Sequence, residues 1–120
     1  MLRNILNETA MDDLEPLAED TRTKEGAESK YLIAEIMFDD GQYEECEEEI
    51  FDYIEVSTPH AYWLARSFVL LADVYMNQGK KMEAREYLVS LQNNYEADDE
   101  IKEMIQERLT RLEDSNNEQQ

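Results

Sequence analysis

Apolar residues recur along this chain at steps of three and four, in six separate runs. Within residues 2–18, Leu2, Ile5, Leu6, Ala10, Leu14, Leu17 and Ala18 fall on one helical face. Pro16 must kink that helix or lie close to its end, because it offers no N–H to the helical ladder. From about residue 22 a second stripe runs through Ala27, Tyr31, Ala34, Met37 and Phe38, and Gly41 stops it. Tyr43, Cys46, Ile50, Tyr53 and Ile54 make a third, ending before "STPH". The fourth spans about His60 to Gln78, with Leu64, Ser67, Phe68, Leu71, Ala72 and Tyr75, and Gly79 stops it. Ala84, Tyr87, Leu88 and Leu91 carry the fifth to near Tyr95. The sixth follows "ADDE", whose acids suit a helix N-terminus, and uses Ile101, Ile105, Leu109 and Leu112. No segment sustains the two-residue alternation of a half-buried strand, so the chain is predicted to be all-α.

Two of these runs say the same thing. "YLIAEIMFDDGQYEECEEEIFDYI" at residues 31–54 returns 38 residues later as "VLLADVYMNQGKKMEAREYLVSLQ". Gly41 recurs as Gly79, Cys46 as Ala84, Ala34 as Ala72, Ile33 as Leu71 and Ile50 as Leu88. Small residues return where two helices must approach closely, and large apolar ones return where a gap is filled. A helical pair repeated in tandem because it cannot bury its apolar face alone is the signature of a solenoid.

These residues resemble the tetratricopeptide repeat, in which a Leu–small pair, an aromatic, a Gly-containing turn and a later small residue recur about every 34 residues. "LLADVYMNQGKKMEA" fits that pattern closely. "LIAEIMFDDGQYEEC" fits it with Met37 at the aromatic place and Cys46 at the small one. The longer spacing here is most simply a lengthened start of the fourth helix, through "PHAYWLA". More narrowly, "GAESKYLIAEIMFDDGQY" and "HAYWLARSFVLLADVY" look like the C-terminal end of long bacterial multi-repeat proteins. The resemblance covers roughly residues 8–96 and implies a right-handed α-α superhelix of antiparallel helix pairs with a C-terminal capping helix. Residues 1–20 would then be the second helix of a preceding, incomplete repeat, 22–58 and 60–96 two repeats, and 98–113 the cap. On that expectation the chain begins in mid-repeat, as a fragment or a naturally short form. The polar tail at 114–120, "DSNNEQQ", has nothing to pack and is expected to be disordered.

Composition narrows the partners. The 30 acidic residues outweigh 11 basic ones, for a net charge of −19, which repels phosphate backbones and anionic membrane surfaces. Neither nucleic acid nor direct membrane insertion is therefore expected, and no run approaches a membrane span or a secretory signal. The single cysteine forms no internal disulfide, so the compartment is not legible: cytoplasmic, or periplasmic if cut from a longer secreted parent.

Catalytic chemistry finds no foothold. His60 and Cys46 are the only imidazole and thiol, whereas zinc sites want several such ligands and nucleophilic triads want a positioned base. Cys46 sits where the repeat demands a small buried residue, and His60 follows Pro59 at a helix start, so both are assigned to structure. A calcium loop around Gly41 would place Ile36 and Phe38 at ligand positions, which neither can serve. The ten acids between Tyr31 and Ala65, with no Lys or Arg among them, fall mostly off the third apolar stripe and read as a solvated face. No cofactor or metal is expected, and an enzyme is disfavoured. Trp63, in "HAYWLAR", is assigned to the seam between successive repeats.

The resemblance implies one place for a partner, the concave groove lined by the first helix of each repeat. Glu28, Tyr31, Glu35, Phe38 and Asp39 would line it from one repeat, and Arg66, Val69, Asp73, Met76 and Asn77 from the next. Some members of the family clamp the acidic C-terminus of a chaperone there with Lys, Arg and Asn. With Glu35 and Asp73 at central places and Arg66 the only cation, this chain disfavours that ligand. Tyr31, Phe38, Val69 and Met76 would instead offer an apolar strip edged with acids, suited to a protein or peptide with apolar anchors and a Lys or Arg. The expectation is a non-enzymatic interaction module within a larger scaffold. The alternative is self-association through an exposed terminal stripe of Leu2, Ile5, Leu6 and Met11.

Overall fold

A computed structural model describes residues 2–56 and 58–118, with side chains for 10–56 and 58–114. The described residues form six α-helices and no strand: α1 Leu2–Ala18, α2 Lys24–Asp39, α3 Tyr43–Val56, α4 Ala61–Asn77, α5 Lys81–Asn94 and α6 Glu100–Glu118. Each falls on one of the six apolar stripes. Pro16 lies in the last turn of α1. The chain divides into two compact units, Met1–Ser67 and Phe68–Gln120, the division falling inside α4.

In the first unit α2 packs against both α1 and α3. Ala27, Tyr31, Ile33 and Ala34 of α2 are buried, as are Cys46, Ile50 and Tyr53 of α3. Cys46 is fully buried, as its place in the repeat requires, and forms no disulfide. Thr23 starts α2: its hydroxyl accepts from the Gly26 N–H at 2.9 Å and donates to the Asp20 carbonyl at 3.0 Å. Gly26 is there because the α1–α2 turn passes too close for a side chain; a Cβ would collide with the Asp20 carbonyl and crowd that of Leu17. Thr58 and His60 tie the α3–α4 loop to the α1–α2 turn. The Thr58 hydroxyl donates to the Thr21 carbonyl at 2.6 Å, and His60 Nε2 lies 3.0 Å from the Arg22 carbonyl.

The two glycine turns close identically. Gly41 and Gly79 have φ of 79° and 77°. After α2, the Gln42 N–H donates to the Met37 carbonyl at 2.8 Å and that of Gly41 to Phe38 at 3.0 Å. After α4, Lys80 donates to Tyr75 at 2.8 Å and Gly79 to Met76 at 3.2 Å. All four groups are displaced by the same 38 positions. This is the six-to-one and five-to-two pairing of a Schellman cap, which demands a left-handed residue and so a glycine.

In the second unit Val69, Leu70, Leu71, Ala72, Val74 and Tyr75 of α4 are buried, with Ala84 and Leu88 of α5. Tyr87 of α5 stacks with Tyr75 and Phe68 of α4, at centroid distances of 5.6 and 6.2 Å. Ile101, Ile105 and Leu112 are the buried face of α6, which packs on α5. Asp99 prepares α6 by accepting from the Ile101 N–H at 3.0 Å and from the Tyr95 hydroxyl at 2.7 Å. The tail expected to be disordered from residue 114 is helical as far as Glu118.

Candidate interaction surface

Of the ten residues expected to line a groove, Glu28, Tyr31, Glu35, Phe38, Asp39 and Arg66 belong to the first unit. Tyr31 is 4 % exposed, so it is part of the core rather than a surface anchor. Its hydroxyl donates to Glu35 Oε2 at 2.7 Å and accepts from Arg66 Nη2 at 3.2 Å. The Arg66 guanidinium also lies over the Tyr31 ring, 4.8 Å from its centroid, and reaches Glu35 at 3.9 Å. Trp63 packs against Tyr31 at 5.7 Å and Tyr62 at 5.0 Å. The only cation expected on the groove is thus held by an aromatic cluster of α2 and α4. Burial, followed by the hydrogen bond to Glu35, pushes the Tyr31 hydroxyl pKa well above the usual tyrosine range. Phe38 is half-buried with its ring edge-on to Tyr43 at 5.3 Å, Glu28 is half-buried and Asp39 is exposed.

Val69, Asp73, Met76 and Asn77 belong to the second unit. Val69 is 1 % exposed and cannot meet a partner. Asp73 is engaged as well: Arg108 of α6 grips it bidentately, Nε to Oδ1 at 2.7 Å and Nη2 to Oδ2 at 3.0 Å. Met76 is half-buried, and exposed Asn77 donates back to the Asp73 carbonyl at 3.0 Å. The apolar strip read from the sequence therefore loses two of its four members to the interior. A helix face covered by a neighbouring helix and one left open differ by a single residue of rotation, and only packing decides between them.

Sequence reasoning passed over Lys30. Its ammonium lies between α2 and α3, 2.6 Å from Asp52 and 3.0 Å from Glu49, with only 11 % of its side chain exposed. Burial alone would lower its pKa, but the hydrogen bonds to Asp52 and Glu49 outweigh that and leave it raised. Two acids of the face read as solvated therefore brace the helix pair. The signal was present: Lys30 is the only base between Lys24 and Arg66 and sits inside the Ala27–Tyr31–Ala34 stripe.

Among the described residues no group of His, Cys, Asp and Glu could hold a metal ion, and no helix is long and apolar enough to cross a membrane. No protein-family model, curated protein or solved structure matches the chain.

Proposed function

We propose that this chain is a non-enzymatic interaction module of tetratricopeptide type, part of a larger bacterial scaffold or adaptor, that holds protein segments bearing apolar and basic side chains. The observation that carries this function is the engagement of the cations near the candidate surface. Arg66 is held by Tyr31 and Glu35, and Arg108 by Asp73. Glu28 stands on the same α2 face as Glu35, whose side chain stays 38 % exposed beyond its Arg66 contact, and half-buried Phe38 follows about one turn later. Such a surface favours a cationic ligand with an apolar neighbour and repels an acidic one. The repeated helix–turn–helix with its matched Schellman closures supports the family-type architecture.

The test is retention from cell extract on immobilised wild type beside a Glu28→Lys, Glu35→Lys variant, read by mass spectrometry in low and high salt. Retained proteins should contain basic, apolar segments and be lost in high salt. Retention of acidic proteins, or salt-independent retention, would sink the proposal.

Self-association is the second reading, favoured by the exposure of Leu17 at 51 %, Val56 at 54 % and Met82 at 77 %. Of the terminal stripe first invoked for it, Leu2, Ile5 and Leu6 lie outside the residues with described side chains, and Met11 is half-buried. The charge of −19 opposes contact between like copies. A solution mass that rises with protein concentration would favour self-association instead.

A further inference from the structure

Within the first unit, α1, α2 and α3 enclose a cleft of about 370 Å³, a size at the lower end of pockets that take small ligands or side chains. Its apolar lining comes from all three helices: Met11 of α1, Ile33 and Met37 of α2, and Val56 of α3. Val56, 54 % exposed, is an apolar side chain left open to solvent at this site. Four acids share the lining, Glu15 from α1, Glu19 from the turn after it, and Glu49 and Asp52 from α3, against the single cation Lys30. Counting these side chains gives four negative charges and one positive, a local charge of −3.

The acids divide into two pairs with different fates. Glu49 and Asp52 are spent on Lys30, which shows that the cleft already holds one ammonium of this chain. Glu15, in the last turn of α1, and Glu19, just past its end, are four residues apart, where like charges repel, and neither has a cationic partner among the described residues. A cation placed beside them relieves that repulsion, and an apolar side chain next to the cation covers Met37 and Val56.

We infer that this cleft docks a basic peptide segment of a partner protein, seating an apolar side chain on Met11, Met37 and Val56 and a neighbouring Lys or Arg on Glu15 and Glu19. The inference rests on the function proposed above and adds a contact, at α1, α2 and α3, to the α2 face bearing Glu28 and Glu35. Charge complementarity selects the occupant. A second copy of this chain carries the same −19 and is repelled at long range, whereas a basic segment is attracted.

A random dodecapeptide display library should be selected against wild type, and the enriched peptides measured by fluorescence anisotropy. Two variants run beside it: Glu15→Gln with Glu19→Gln, and Val56→Asp. Glu15, Glu19 and Val56 are exposed, and circular dichroism checks that each variant keeps the wild-type helicity. Enriched peptides should pair Lys or Arg with Leu, Ile, Met or Phe. Their affinity should fall about tenfold or more in the Glu15/Glu19 and Val56 variants. Basic peptides that bind the cleft variants undiminished would overturn the cleft and leave the interaction module standing. A selection without basic, apolar peptides would overturn both.

Discussion

Three side chains inside the first unit carry protons more tightly than they would in water. Burial pushes the Tyr53 hydroxyl up to about 12, and burial with the Glu35 hydrogen bond raises Tyr31 further. Lys30 is raised too, because Asp52 and Glu49 outweigh its desolvation. A folded-state pKa above the unfolded value gives stability that is complete below the unfolded pKa and lost as pH rises through the folded one. The reference values are 10.0 for tyrosine and 10.5 for lysine. The urea midpoint should therefore be insensitive to these groups up to about pH 9 and fall steeply above pH 10. Tyr53→Phe should make that fall shallower; an unchanged alkaline limb would assign it to other groups. At neutral pH, Tyr31→Phe keeps the ring but strips the hydroxyl from Glu35 and Arg66, and should cost about 1 kcal/mol in urea unfolding. Lys30→Met should cost more, about 2–3 kcal/mol, since it leaves Glu49 and Asp52 facing each other without a cation.

Helix ends and helix docking decide the next scale. Gly41 and Gly79 have open space where a Cβ would stand, so alanine there strains the backbone without touching anything. Each Gly→Ala should cost about 1–2 kcal/mol, and Asn, which tolerates the left-handed region, should cost less. Gly26→Ala is the opposite case, a steric collision with the backbone of the preceding turn, and should cost about 2 kcal/mol or more. Comparing the three by chemical denaturation separates conformational strain from contact. For α6, the Arg108–Asp73 pair is the polar clasp beside the Ile101–Ile105–Leu112 face. Arg108→Ala should destabilise by about 1–3 kcal/mol, and a double-mutant cycle with Asp73→Ala should return most of that as coupling. Additive losses would mean that the two side chains act separately.

At the scale of the whole molecule, charge dominates. With 30 acids and 11 bases the folded chain repels itself, so moderate salt should raise its thermal midpoint by screening that repulsion. Solubility should be lowest near the isoelectric point of about 4.1, where the repulsion between copies vanishes. The same excess of acid underlies the expectation of a basic partner, and the contrast between attraction and repulsion should appear as loss of binding in high salt.

The helices and their order were legible in the sequence because helical periodicity is local: 3.6 residues per turn fixes which side chains share a face before any partner is known. The repeat was legible for a related reason. A left-handed turn admits few residues besides glycine, so Gly41 and Gly79 mark the same backbone event, and both turns close through matching carbonyls. Packing alone decided what each face meets. Tyr31 and Glu35 lie one turn apart on α2, yet one is core and the other partly open, because Trp63 and Arg66 cover the first. Asp73 reads as a free acid until Arg108, 35 residues away, closes on it. Lys30 draws no notice until α3 brings Glu49 and Asp52 to it, and the cleft beside it exists only once three helices have met. Periodicity is a property of one helix, whereas burial, ion pairing and clefts are properties of the contacts between helices, and those contacts are set in three dimensions.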